Sequence, residues 1–142
     1  MSVDVKYRTK ATATGGRDGH SATQDGAVDV KLVTPKELGG AGGDGVNPEQ
    51  LFATGYAACF LGALKFAAGQ AKVKVPADAT VTADVGIGPR ADGGGFGLDV
   101  ALTVTLPGIA DDVADDLIAR AHVVCPYSHA TQNNIAVSLN RG

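Results

Sequence analysis

The feature that most constrains this chain is the stretch 47–68, which is apolar on nearly every side. It opens as helices open. Asn47 can cap, Pro48 suits the first helical position, and Gln50 stands three residues beyond the cap. A helix with no polar face has to be covered, and 142 residues leave room for one substantial core. The pattern therefore predicts a buried helix with Cys59 at its middle, inside that core. Gly55 and Gly62 interrupt it. Each costs about 1 kcal/mol against alanine in a helix interior, which predicts close packing against another backbone. A helix too apolar for a small monomer to cover also predicts a homodimer that buries two copies of it.

Strand patterns surround this helix. Val3, Val5 and Tyr7 alternate, and so do Val28, Val30 and Leu32, which predicts an opening hairpin. Between them Gly15-Gly16-Arg17-Asp18-Gly19-His20 reads as a polar turn that presents Arg17. Val81, Ala83, Val85 and Ile87 predict one strand, and Phe96, Leu98, Val100, Leu102, Val104 and Leu106 a longer one, joined through Gly93-Gly94-Gly95. Pro107-Gly108 breaks the pattern, after which Asp111 or Asp112 can cap a second helix with Val113, Leu117, Ala121 and Val124 along one stripe. Cys125 falls near its end, where Pro126 keeps it from helical angles, and Ile135, Val137 and Leu139 predict a last strand. The expected class is α+β, in a single domain over residues 1–142. The stretch 72–76 reads as a solvated connection, and no internal repeat is visible.

Composition removes several functions. The net charge of −3, with Lys and Arg scattered, leaves nucleic acid no basic stripe. Hydrophobic residues are 44% of the chain and charged ones 19%, a globular balance, so no membrane role is expected. The first six residues lack a basic stretch followed by an apolar block, which predicts a cytoplasmic location. In a reducing compartment the only two cysteines would pair transiently if at all. The glycine clusters lack the context of a phosphate loop, and His20, His122 and His129 lack metal-site spacing. Neither a cofactor nor a metal is expected.

What remains is sulfur chemistry. A thiol attacks only as thiolate, so a buried cysteine needs positive charge or donated hydrogen bonds to react. Cys59 alone reads equally as a small core residue. Cys125, in Cys-Pro-Tyr-Ser after a helix end, predicts a strained and partly exposed position. Arg17 is the candidate cation, and Glu49 could hold its guanidinium fork. Taken singly, Arg17 is a loop charge and Glu49 an acid favoured by a helix N-terminus.

Five motifs together are more specific: Gly16-Arg17-Asp18-Gly19, Thr34-Pro35-Lys36-Glu37-Leu38-Gly39-Gly40, Asn47-Pro48-Glu49-Gln50-Leu51-Phe52-Ala53, Gly55-Tyr56-Ala57-Ala58-Cys59-Phe60 and Val124-Cys125-Pro126-Tyr127-Ser128. Over nearly the whole chain they resemble the organic hydroperoxide resistance (Ohr) branch of the OsmC-like superfamily. His129 stands where that family usually has asparagine. The resemblance implies an OsmC-like fold of antiparallel sheets with two central helices in an intertwined homodimer. It implies a cysteine-based peroxidase for alkyl or fatty-acid hydroperoxides, protective in oxidative stress, with Cys59 peroxidatic, Cys125 resolving, and Arg17 with Glu49 stabilising the thiolate. A lipoylated protein or other dithiol would reopen the disulfide. The alternatives are a general OsmC-type peroxidase and a non-catalytic thiol sensor or apolar-ligand binder. Ten helical residues separate Glu49 from Cys59, about 15 Å at ~1.5 Å per residue. Either the helix breaks near Thr54-Gly55, or Glu49 serves the partner subunit's site.

Overall fold

The computed structural model describes residues 2–142. The chain forms two compact units, one ending at Leu51 and one running from Phe52 to Gly142.

The first unit carries a three-stranded antiparallel sheet in the order β1 (Ala11–Thr14), β2 (His20–Thr23), β3 (Asp29–Lys31). The expected opening strand is absent: residues 2–10 form no strand, and Val3, Val5 and Tyr7 are exposed. Alternation marks a face that could be buried, but Leu32 is the only buried hydrophobic residue of this unit among those described. The hairpin lies instead between β1 and β2, closing from Ala11↔Thr23 to Thr14↔His20 around the Arg17 turn, and Val30 belongs to the third strand, opposite Ser21.

Helix α1 (Pro48–Gln70) is unbroken. Its start is the reciprocal cap expected from the sequence: Gln50 N–H donates to Asn47 Oδ1 and Asn47 N–H donates to Gln50 Oε1, both at 2.9 Å. Burial is less complete than the composition predicts. Tyr56, Phe60, Ala63, Leu64, Ala67 and Ala68 are buried, whereas Thr54, Ala58, Gly62 and Phe66 form an exposed line at four-residue spacing. Of the described helices, α1 alone is long and apolar enough to cross a membrane, yet it contributes one face to the core.

In the second unit β4 (Thr80–Pro89) and β5 (Phe96–Thr105) form the expected hairpin, and β6 (Val137–Arg141) lies on β5 in parallel, Val100↔Val137 to Val104↔Arg141. The buried face of α1 packs with Val100, Leu102, Val104 and Leu106 and with Ala114, Leu117, Ile118 and Ala121 of helix α2 (Asp111–Val124). Neither Asp111 nor Asp112 caps α2. The cap position is Ala110 without a side-chain bond, and both acids lie in the first turn, where they favour the helix dipole. A short helix α3 (Pro126–Thr131), which the strand and helix periods did not show, begins directly after Cys125. The class is α+β, as expected.

Candidate active site

The five motifs converge on two local constellations, one in each unit.

In the first unit, Arg17 sits on a single 3₁₀ turn, Gly16–Asp18, between β1 and β2. Gly19 is required there, because a Cβ would stand 1.7 Å from the Thr14 carbonyl oxygen. The turn is fastened by Asp18, whose carboxylate accepts from the Thr34 N–H and hydroxyl, both at 3.0 Å. This explains why Gly-Arg-Asp-Gly and Thr-Pro occur in one sequence: they are two halves of one loop anchor. The Arg17 guanidinium then donates both arms of its fork to Glu49, Nη1 to Oε2 at 2.9 Å and Nη2 to Oε1 at 2.7 Å. The pairing anticipated for these residues is present. The hydrogen bond from Arg17 holds the Glu49 carboxyl below its ordinary range, and the same bond raises Arg17 further above neutrality.

In the second unit, Cys59 and Cys125, 66 positions apart, are free thiols with their sulfurs 3.6 Å apart, Cys125 S–H directed at Cys59. Their environments are the reverse of the expectation. Cys125 is fully buried and Cys59 is half-buried. The corner that was expected to expose Cys125 instead turns it into the core cluster, and only the backbone is extended (φ −67°, ψ 123°), as Pro126 demands. Burial, first, and the neighbouring Cys125 push the Cys59 thiol above its ordinary value, while the backbone N–H of Tyr127 acts in the opposite sense.

The surroundings of the thiols contain groups that spacing alone did not single out. Phe52, Tyr56 and Tyr127 form an aromatic cluster, with ring centroids 5.7–6.0 Å apart. Tyr127 occupies the notch left by Gly55, where a Cβ would approach its hydroxyl to 2.9 Å. Gly55 therefore admits a ring rather than the backbone expected there, and Gly62 is open on the surface of the single chain. A buried hydrogen bond links the Tyr56 hydroxyl to Ser128 Oγ at 2.8 Å, and a half-buried one links Ser128 Oγ to His122 Nδ1 at 2.9 Å. Tyr56 and Ser128 belong to quoted motifs, and each stands three residues from a cysteine, a helical spacing that could have placed them near the sulfurs. His129 is exposed on α3. An open cleft of about 1210 Å³ in the same unit is lined by Phe52, Ile87, Phe96, Leu98, Tyr127 and Ile135, with Arg90, Asp92 and Asp99 among its polar groups.

Paired thiols on an α+β scaffold define a small thiol protein, and comparison with known proteins identifies its kind. The family described as OsmC-like protein matches residues 40–140. An organic hydroperoxide resistance protein of Xanthomonas axonopodis pv. citri is 54% identical over 135 residues, covering 95% of this chain and 94% of its own. An uncharacterized protein of Acinetobacter baylyi is 57% identical over 140 residues, 98% and 96% of the two chains. The crystal structure of an organic hydroperoxide resistance protein from Elizabethkingia anophelis superposes with a TM-score of 0.91 at 48% identity, over 99% of each chain. The chain belongs to the OsmC-like family, in its organic hydroperoxide resistance branch. Its function lies in peroxide stress.

Proposed function

We propose that this protein is a thiol peroxidase that reduces organic hydroperoxides to alcohols, with Cys59 as the attacking and Cys125 as the resolving thiol. The observation that carries the proposal is the 3.6 Å separation of two free sulfurs from distant parts of the sequence. A disulfide needs about 2.05 Å, so a small movement closes the pair. The Cys59 thiolate attacks the distal peroxide oxygen, the O–O bond breaks, and the alkoxide leaves as the alcohol after taking a proton. Cys59 becomes a sulfenic acid, which Cys125 captures as a disulfide with loss of water. A dithiol, such as the lipoyl group of a lipoylated protein, takes up the oxidation and restores both thiols. The aromatic cluster of Phe52, Tyr56 and Tyr127, one helical turn from Cys59 at Tyr56, suits an alkyl chain better than hydrogen peroxide.

Because burial pushes the Cys59 thiol up, the thiolate needs a cation, and we assign that role to Arg17 braced by Glu49. The unbroken α1 sets Glu49 and Cys59 of one chain about 15 Å apart along the axis, which favours supply of the pair by the partner subunit. The exposed line Thr54, Ala58, Gly62, Phe66 on the same helix supports a homodimer, in which the chain works as one domain over 1–142.

The test is a single turnover of the reduced protein with one equivalent of an alkyl hydroperoxide. Wild type should give the alcohol and a Cys59–Cys125 disulfide. Cys125→Ser should consume its equivalent and stop at a sulfenic acid on Cys59, and Cys59→Ser should consume none. Equal consumption by Cys59→Ser and wild type would remove Cys59 from the reaction.

A further inference from the structure

Cys59 and Cys125 are each flanked, one helical turn away, by a polar side chain of a single hydrogen-bonded network, buried at Tyr56 and Ser128 and half-buried at His122. Tyr56 precedes Cys59 by three residues, His122 precedes Cys125 by three, and Ser128 follows Cys125 by three. These groups meet at Ser128. Its Oγ lies 2.8 Å from the Tyr56 hydroxyl and 2.9 Å from His122 Nδ1, and Tyr56 also reaches Thr131 Oγ1 at 3.4 Å. Tyr56 and Ser128 are 0% and 1% exposed. One hydroxyl thus ties α1, α2 and α3 together where water is excluded, a setting in which an unmade bond is costly.

The backbone of Cys125 is part of the same corner. Its N–H donates to the Ala121 carbonyl and its C=O accepts from the His129 N–H, both at 2.9 Å, so Cys125 belongs at once to the last turn of α2 and the first of α3. Ser128 fastens that corner to α1 through Tyr56 and to α2 through His122. The sulfur of Cys125 has little freedom of its own in a fully buried site, and its distance from Cys59 is set by where the corner sits.

We infer that His122 and Ser128 are positioning residues that hold the Cys125 corner against α1 and so speed disulfide closure on the Cys59 sulfenic acid. The inference rests on the thiol-peroxidase reading above. In the closing step the Cys125 sulfur attacks the Cys59 sulfur, the S–S bond forms and the S–O bond breaks. The hydroxide leaves as water with the proton of the Cys125 thiol. The step requires the sulfurs to approach from 3.6 Å to about 2.05 Å, and displacement of a reacting group by about 1 Å costs up to about 10²-fold in rate. Cys125 forms no covalent bond in the peroxide step and touches it only through its contact with the Cys59 sulfur, so that step should respond far less to the network than closure does.

The experiment follows both steps in the full-length reduced protein after one equivalent of alkyl hydroperoxide: peroxide loss, and decay of the sulfenic acid that a dione reagent can trap. Ser128→Ala should close the disulfide about tenfold more slowly, with peroxide loss within about twofold of wild type. His122→Leu should also slow closure, and His122→Asn, whose amide falls near the position of Nδ1, should recover most of the rate. If Ser128→Ala does not fold, the half-buried His122 pair decides the matter. Closure at the wild-type rate in His122→Leu, or equal slowing of both steps without recovery in His122→Asn, overturns the positioning role. Wild type that forms no disulfide on turnover brings down the thiol-peroxidase reading itself, and this inference with it.

Discussion

The two sheets of the molecule are built on different physics. In β1–β2–β3 the strands are short and read Ala-Thr-Ala-Thr, His-Ser-Ala-Thr and Asp-Val-Lys, with no buried residue in any of them. In β4–β5–β6, Val100, Leu102 and Val104 of the central strand are 0–1% exposed and pack against α1 and α2. The first unit is accordingly organised by directed polar contacts, the Asp18–Thr34 anchor and the Arg17–Glu49 fork, whereas the second is organised by apolar burial. Each suits the part proposed for it. A fixed cation requires a place where charge stays solvated enough to be tolerated, and a protected thiol pair requires a place where water is excluded. Burial in the apolar unit also pushes the Cys59 thiol up, which is why the proposed mechanism calls for a cation.

The largest effect expected from this division is recovery of activity from inactive parts. If the polar constellation of one subunit serves the thiols of its partner, mixing Cys59→Ser and Glu49→Ala chains under conditions of subunit exchange should restore one working centre per heterodimer. A mixture that exchanges subunits and stays inactive would return Glu49 to its own chain. Next in size is stability. Phe60→Ala, in the core and 0% exposed, should cost about 3–5 kcal/mol in denaturant unfolding, whereas Thr12→Ala on the exposed β1 should stay within about 0.5 kcal/mol. Comparable losses at the two positions would dissolve the contrast between the sheets.

The smallest effect concerns the ion pair itself. Glu49 titrates below its ordinary value in the folded protein because it accepts from Arg17. A depressed carboxyl contributes stability above its unfolded pKa of about 4.3, and that contribution is lost as pH falls through the lower folded value. Arg17 is 38% exposed, and solvent screening holds the contribution to about 1 kcal/mol or less. Glu49→Gln should therefore lower Tm slightly at pH 7, and the difference should begin to shrink below about pH 4.3 and vanish only once the pH has passed below the depressed folded value. A difference that persists undiminished in acid would mean that the carboxylate charge is not what Arg17 holds.

The α+β class, the reach of α1 with its reciprocal Asn47–Gln50 cap, the β4–β5 hairpin and the break at Pro126 were all legible in the sequence, because each depends on neighbours within one turn or one hairpin. The Arg17–Glu49 pairing was legible as chemistry, since a guanidinium fork and a carboxylate are complementary wherever they meet. Periodicity misled at Val3, Val5 and Tyr7, where alternation is present but the first unit supplies nothing to bury it. It misled again along α1, where composition cannot say which side of an apolar helix is covered.

The sequence by itself therefore determined the α+β class, helix α1, the β4–β5 hairpin, the residue types able to do thiol chemistry and the family to which the chain belongs, all of which are local or compositional properties, while β1, β2 and α3 escaped it. Only the tertiary structure decided that Cys125 is the buried thiol and Cys59 the half-exposed one, that their sulfurs lie 3.6 Å apart, and that Tyr56, Ser128 and His122 share one hydroxyl. These depend on how α1 meets the α2–α3 corner. That meeting joins residues 66 and 72 positions apart through a close-packed core, and no local period in the chain encodes which side chains such packing brings into contact.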